Sequence, residues 1–424
     1  MIMAVVDYLI VGGGVAGTTA AETLRRLRPN AAITIVSAEP YPLYSRVLLP
    51  HLVLGKASRE KIFLRQAEQY REKGIEFLAG VAVAELRPGE HTAVIVGYSK
   101  SDNSRILNIR YHKLLLATGG AALPLGVPGE HLLGVTPFRS LHDAEAIIAA
   151  LSAMPNSECQ ALAVGGSFIS LEFPPFFEKF GLAGGMLLRG ERFWRRILDD
   201  EASGVIEDTL LAHNIRIYKG EALVACEGER RLESVRLADG RRLKTSFLGY
   251  GVGLAGAPEF VLQAGIAGGP NGIAADERLR TSAPDVWAAG DCADFWDVTV
   301  GRRHRLGNWL NAQEQGRFAA EAMAGEKEIP FESVSAYATK IFECSIAMIG
   351  DLTSQAESRW LTRGTRANGK VARLHLRGGK LAGAALINIL TERAAITTLI
   401  KNRTDLRGRE KDLADPSFGL QNFF

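Results

Sequence analysis

Thiol chemistry is scarce in this chain. Its 424 residues include four cysteines, Cys159, Cys226, Cys292 and Cys344, and the nearest two in sequence are 52 residues apart. No CxxC pair is available to hold zinc or to cycle between dithiol and disulfide, and the spacing does not suit a disulfide-stapled secreted scaffold. A dominant charge is also missing: 50 Lys and Arg stand against 47 Asp and Glu, and the net +3 is too small to argue for a nucleic-acid partner. No apolar run reaches the roughly 18 residues a membrane-spanning helix needs. The apolar opening from Met1 to Val11 contains Asp7 and flows into Gly12-Gly13-Gly14, unlike a cleavable leader. With reduced thiols, this makes a cytoplasmic location the expectation. HExxH, GxSxG and paired-carboxylate motifs are absent, which removes the common hydrolytic chemistries.

Glycine is what the chain has in excess: 45 residues, where average usage predicts about 30. The first group is informative. Val5 to Val11 is a short apolar run, Gly12 to Gly17 reads GGGVAG, and a helical pattern with Ala20, Ala21, Leu24 and Leu27 follows. A second strand, Ala32 to Ala38, ends at Glu39, 22 residues after Gly17. A GxGxxG between strand and helix, with an acid at this distance, predicts a dinucleotide-binding βαβ unit. Gly12 permits the tight turn, Gly14 lets the backbone approach a pyrophosphate, and Gly17 lets helix and strand pack closely. Glu39 is placed to accept from a ribose.

A similar turn follows Ala161 to Val164. Gly165-Gly166-Ser167-Phe168-Ile169-Ser170 carries Ser167 and Ser170 where the second and third glycines are expected. Pro174-Pro175 falls about two turns into the anticipated helix, where a proline costs about 3 kcal/mol. The strand Gly185 to Leu188 ends at Leu188 and Arg189, not at an acid. Farther on, Val286 to Ala289 predicts a strand before Gly290-Asp291, and Trp309 to Ala324 a helix. Val371 to Arg377 alternates as a strand, with Asn368-Gly369 before it as a hairpin signal. Gly364 to Lys370 spells GxxxxGK, but Val371 replaces the required Ser or Thr and a strand follows, so a hairpin and not a phosphate loop is expected.

Together these motifs resemble the two-dinucleotide-domain flavoproteins of the pyridine nucleotide-disulfide oxidoreductase superfamily. Gly12 to Gly17 with Glu39 looks like the FAD fingerprint, Leu116-Ala117-Thr118-Gly119-Gly120 like the family's ATG motif, and Thr281 to Asp291 like its second FAD motif. Tyr44 to Leu49, Phe138 to Ala144 and Trp309 to Gly325 resemble the flavoprotein half of NAD(P)H-nitrite reductase large subunits and rubredoxin reductases. The resemblance implies an α/β fold with two Rossmann-like dinucleotide-binding domains and a C-terminal α+β domain. An FAD domain would span 1–120 and 255–325, an NAD(P)H-binding-like domain with a degenerate fingerprint 121–254, and a C-terminal interface domain 326–424. It further implies that FAD contacts Gly12, Gly14, Val15, Ala16, Ala38, Glu39, Arg46, Val83, Ala117, Thr118, Gly119, Gly290, Asp291 and Trp309. The nicotinamide nucleotide would lie along Gly165, Gly166, Ser167, Phe168, Ile169, Glu172 and Arg189. No metal site and no catalytic acid, base or nucleophile is implied, since the flavin carries the chemistry.

Two departures from the superfamily shape the functional expectation. The redox CxxxxC pair is absent, and the single redox cysteine of some members would fall near Val47, so disulfide reduction is not expected. The main reading is an FAD enzyme passing electrons between NAD(P)H and a protein electron carrier or partner reductase subunit, with a homo-oligomer among the assemblies the reading allows. The alternative takes the substituted second turn, and Gly253 where an Arg is common, at face value: a flavoprotein subunit of a larger complex whose nicotinamide site is lost or altered. Arg302-Arg303-His304-Arg305 suggests either a docking patch for an acidic carrier or a solvated loop.

Overall fold

In the computed structural model, residues 3–99, 102–154 and 160–424 are described. The chain divides into two compact units, one of residues 1–47, 58–121 and 254–333, the other of 48–57, 122–253 and 334–424.

The first unit is built on a mixed seven-stranded sheet. Its parallel part runs Ile75–Ala79, Ile33–Ser37, Met3–Val11, Asp102–Leu116, and the short Val286–Ala288 also pairs parallel with the last of these. Thr92–Ser99 and Val81–Arg87 extend it antiparallel. All five residues of Ile33–Ser37 are buried, as befits a strand covered on both faces. The helix Val15–Leu27 buries Ala16, Ala20, Ala21 and Leu24, the small residues of its apolar stripe. It packs against Trp309–Met323, where a Cβ on Gly316 would stand 2.2 Å from the Ala16 carbonyl oxygen. Glycine inside that helix is therefore a packing requirement.

The second unit holds a five-stranded parallel sheet in the order Ile215–Tyr218, Gly184–Leu187, Ala161–Val164, Phe247–Tyr250, Val135–Pro137. It also holds a five-stranded antiparallel sheet in the order Ala336–Ile341, Cys344–Gly350, Lys380–Ile387, Lys370–Arg377, Ser358–Thr365. The expected hairpin is present: Thr365 pairs with Lys370, and Gly369 turns the corner at φ +63°. Arg363 is fully buried and donates to the Glu392 carboxylate and to the carbonyls of Leu413, Asp415 and Phe418, pinning the last turn of chain to this sheet.

The prolines correct one expectation. The helix after the second glycine turn is not kinked at Pro174-Pro175; it ends at Leu171, and a second helix, Phe173–Lys179, begins after Glu172. Pro174 thus falls in a first turn, where its missing N–H is an orphan in any case, so the expected penalty is avoided. Phe173, Phe176 and Phe177 are wholly buried by this second helix.

Candidate functional site

Four adjacent parallel strands of the first unit end on one sheet edge, and each hands over to a segment singled out from the sequence. Val11 leads into Gly12–Gly14, Ser37 into Ala38 and Glu39, Leu116 into Ala117–Gly119, and Ala288 into Gly290 and Asp291. Backbone bonds knit these ends together: Gly12 N to Val36 O at 2.8 Å, Ala117 N to Val11 O at 2.8 Å, and Ala289 N to Leu116 O at 2.9 Å. In open α/β sheets, ligands bind at this carboxyl edge.

The glycines of this edge separate into two kinds. A Cβ on Gly12, held at φ +121°, would lie 2.1 Å from the Ala117 carbonyl oxygen, so the fold itself demands glycine there. Gly14 has an ordinary extended conformation, φ −73° and ψ −171°, and a Cβ there would meet nothing within 4 Å. Nothing in the chain excludes a side chain at Gly14, which is what a backbone kept bare for a bound group looks like. Gly14 also caps the helix Val15–Leu27 without a side-chain hydrogen bond, and no acidic residue lies in the first turn. Its leading N–H groups are left for an anion. These features fit a dinucleotide pyrophosphate.

Glu39 lies in a small polar cluster. Its Oε2 accepts from the Tyr44 hydroxyl at 2.6 Å, and its Oε1 from an Arg46 Nη2. The guanidinium lies 5.2 Å from the Tyr44 ring centroid. Burial pulls the Arg46 pKa down, but Tyr44, Glu39 and Asp291 together more than offset this and hold it above its ordinary value. Arg46 and Asp291 are thus electrostatic neighbours although far apart in sequence. Gly290 donates its N–H to Gln315 Oε1 at 2.7 Å, and Asn308 caps the helix that begins at Trp309. Val15 and Trp309 are half-buried and Ala16 is buried. Val83 is buried in the apolar core of this unit.

The second glycine turn opens on the same backbone conformation as the first. Gly165 has φ +122°, matching Gly12 at +121°. Ser170 is completely buried; its hydroxyl donates to the Ser167 carbonyl at 2.7 Å and accepts from the Ser167 N–H at 3.0 Å. The Ser170 side chain packs on the turn itself: a Cβ on Gly165 would lie 3.1 Å from the Ser170 Cβ. Cβ atoms on Gly249 and Gly251 would lie 2.2 Å from the Phe173 ring and 2.6 Å from the Ile169 Cβ. Gly166 accepts from the Trp194 N–H at 3.0 Å, so the loop after Gly184–Leu187 closes on the turn. That loop carries Arg189, Arg192, Arg195 and Arg196; Arg192 pairs with Asp200 at 3.2 Å and Arg189 is exposed. Phe168 and Glu172 are half-buried and Ile169 is exposed. Burial lifts the Glu172 carboxyl to about 7, and a hydrogen bond from Thr339 opposes the rise.

The arginines and histidine of the basic loop are tied into the first unit, although Arg303 remains exposed. Arg303 donates to the carbonyls of Ala275 and Asp294, Arg305 to those of Ala255 and Leu254, and His304 pairs with the buried Asp297 at 2.8 Å. Arg303 and Arg305 thus brace the first unit's own backbone. Cys226, Cys292 and Cys344 are buried and free, with thiols pushed upward by burial, Cys226 and Cys344 to about 11; Cys159 lies outside the described residues. Among the described residues no group of His, Cys, Asp and Glu could hold a metal, and no helix is long and apolar enough to cross a membrane.

The family model for pyridine nucleotide-disulphide oxidoreductases matches residues 6–316. This chain belongs to that family. Residues 339–424 of the oxidoreductase match a second model, the reductase C-terminal domain. It is 31% identical over 90% of its length to the 5,5'-dehydrodivanillate O-demethylase ferredoxin reductase subunit of a Sphingobium species, covering 90% of that protein. It is 25% identical to the nitrite reductase [NAD(P)H] of Bacillus subtilis, with 96% of this chain matching 48% of that one. Its fold matches the putidaredoxin reductase of the covalent putidaredoxin reductase–putidaredoxin complex with a TM-score of 0.87 and 25% identity, covering 99% of this chain and 98% of that one. The α/β fold and the oxidoreductase class expected from the motifs agree with these findings.

Proposed function

We propose that this oxidoreductase is the FAD-containing reductase of an electron-transfer pair, drawing electrons from NAD(P)H and delivering them to a small protein carrier of the ferredoxin kind. One observation carries the reading: the four strand ends that bring Gly12–Gly14, Glu39, Thr118–Gly119 and Asp291 to one edge, with Gly14 bare and unobstructed. Bound FAD supplies acceptance of a hydride and release of electrons singly. The N–H groups at Val15 and Ala16 would hold the pyrophosphate. Glu39, oriented by Tyr44 and Arg46, would accept from the adenosine ribose, and Asp291 would hold the far side of the cofactor. The missing CxxxxC pair and the buried thiols argue against a thiol relay. The relatives that are ferredoxin reductase components or subunits, and the putidaredoxin complex, support a ferredoxin-type partner, and a cytoplasmic location goes with it.

Within the second unit, the parallel sheet of 121–254 is read as the NAD(P)H side and 326–424 as the C-terminal interface part. The matching φ of Gly165 and Gly12 favours a working nucleotide turn over a lost one. Anaerobic mixing with NADPH and with NADH tests this. Bleaching of the flavin band near about 450 nm is expected, followed by reduction of an added ferredoxin. A flavin that neither nucleotide bleaches would end the reading.

A further inference from the structure

Glu172 stands at the break between two short helices, and what holds it comes from the far end of the chain. Thr339, on the strand Ala336–Ile341, donates its hydroxyl to Glu172 Oε1 at 2.9 Å across 167 residues of sequence. Tyr337 lies two residues earlier on the same strand and therefore on the same face. Its ring meets Phe168 edge-on at 4.2 Å between centroids, and Phe168 meets Trp194 at 4.8 Å. One face of a C-terminal strand thus lays a hydroxyl and a phenol against the helix that follows the second glycine turn. Tyr337 is the titratable group that faces Glu172, its own pKa raised by burial and by the Glu172 charge. Among the described residues no lysine, arginine or histidine figures among the causes that set the state of the carboxyl. A carboxyl in such a setting is a functional-site candidate.

We propose that Thr339 is a positioning residue for Glu172: it fixes the carboxyl so that Oε2 is presented to a bound nicotinamide ring, and it sets the pH at which that carboxyl ionises. This rests on the reading that the second unit binds NAD(P)H. When a dihydronicotinamide gives up a hydride to the oxidised flavin, two electrons and a proton leave together, and the ring keeps one positive charge. An ionised Glu172 favours that charge, and a neutral one does not. The Thr339 hydroxyl donates to the ionised form and so extends its pH range downward.

The test uses the flavin-loaded protein from about pH 5.5 to about 9.5, with two readouts. One is the rate of flavin bleaching at saturating reduced nucleotide. The other is the calorimetric affinity for the oxidised nucleotide, which involves no turnover. In the wild type both rise with pH through an inflection near 7. Thr339→Val moves the inflection up by about one pH unit, the size of one charge-assisted hydrogen bond. Thr339→Ser restores it, and Glu172→Gln abolishes it. Flavin content certifies each variant's fold, with Thr339→Ala standing in should the valine not be tolerated. A hydroxyl-free variant that tracks the wild type while Glu172→Gln is flat overturns the role of Thr339 alone. A wild type that neither bleaches nor binds nucleotide overturns the nicotinamide reading and this inference with it.

Discussion

A Cβ on Gly17 would stand 2.0 Å from the carbonyl oxygen of Gly12, so the helix Val15–Leu27 reaches the preceding turn only because residue 17 has no side chain. Gly14, between them, has no such neighbour. One motif therefore holds a glycine the fold needs and a glycine only a ligand needs.

The two are separable by mutation. Gly17→Ala is expected to destabilise the protein by about 3 kcal/mol or more, since the clash is with backbone that cannot rotate away. Gly14→Val leaves the apoprotein's unfolding midpoint within about 0.5 kcal/mol of wild type but lowers flavin affinity at least about tenfold. Denaturant titration of the apoprotein and flavin content after purification give the two numbers.

Nucleotide preference follows from the loop after Gly184–Leu187. Arg189 stands where a ribose-binding acid would be, and Arg189, Arg195 and Arg196 have no carboxylate partner among the described residues. Cations at this position suit a 2′-phosphate. NADPH is expected to exceed NADH in kcat/KM by about tenfold or more, and Arg189→Glu with Arg195→Ala to erase the difference, corresponding to about 1.4 kcal/mol or more. Equal values for the two nucleotides in the wild type would sink the assignment.

His213 bridges Glu178 at 2.6 Å and Glu343 at 3.0 Å, with its ring stacked 3.6 Å from Phe342. Burial alone would lower its pKa, but the two carboxylates outweigh burial and raise it. A raised folded-state pKa means stabilisation that is fully present below the unfolded value of about 6.5 and lost as pH rises through the folded value. His213→Ala should therefore cost up to about 1 kcal/mol near pH 6 and close to nothing near pH 9. Denaturation midpoints at the two pH values check this, and a cost independent of pH would contradict it.

Arg363 is a buried cation whose donors are all engaged by Glu392 and the chain's last carbonyls. Arg363→Ala leaves the half-buried Glu392 uncompensated and those carbonyls without a partner, and is expected to cost about 3–5 kcal/mol. Limited proteolysis should then cut within 413–424 before any other part of the chain.

How much of this was legible beforehand depends on distance along the chain. The first βαβ unit, its glycine turn, the acid at its second strand and the 365–370 hairpin are local. Strand period, turn chemistry and spacing act within about 40 residues, and the observed elements fall where those rules put them. The serines at 167 and 170 read as a degenerate fingerprint because spacing does not announce that Ser170 turns its hydroxyl onto the Ser167 backbone and packs against Gly165. The prolines read as a cost inside one continuous helix because nothing nearby announces that the helix stops at Leu171 and restarts after Glu172.

The basic run 302–305 shows the same division. Its charge is written in four consecutive letters, but whether that charge meets a partner or the chain's own carbonyls is decided by Ala255, Ala275 and Asp294. Composition and motif thus settle which cofactor-binding folds the chain can form, since dihedral freedom and hydrophobic period are properties of short segments. Packing settles the rest. The pairing of Thr339 with Glu172, the bond from Arg305 to the Ala255 carbonyl and the electrostatic meeting of Arg46 with Asp291 each join residues that only the completed sheets bring within reach.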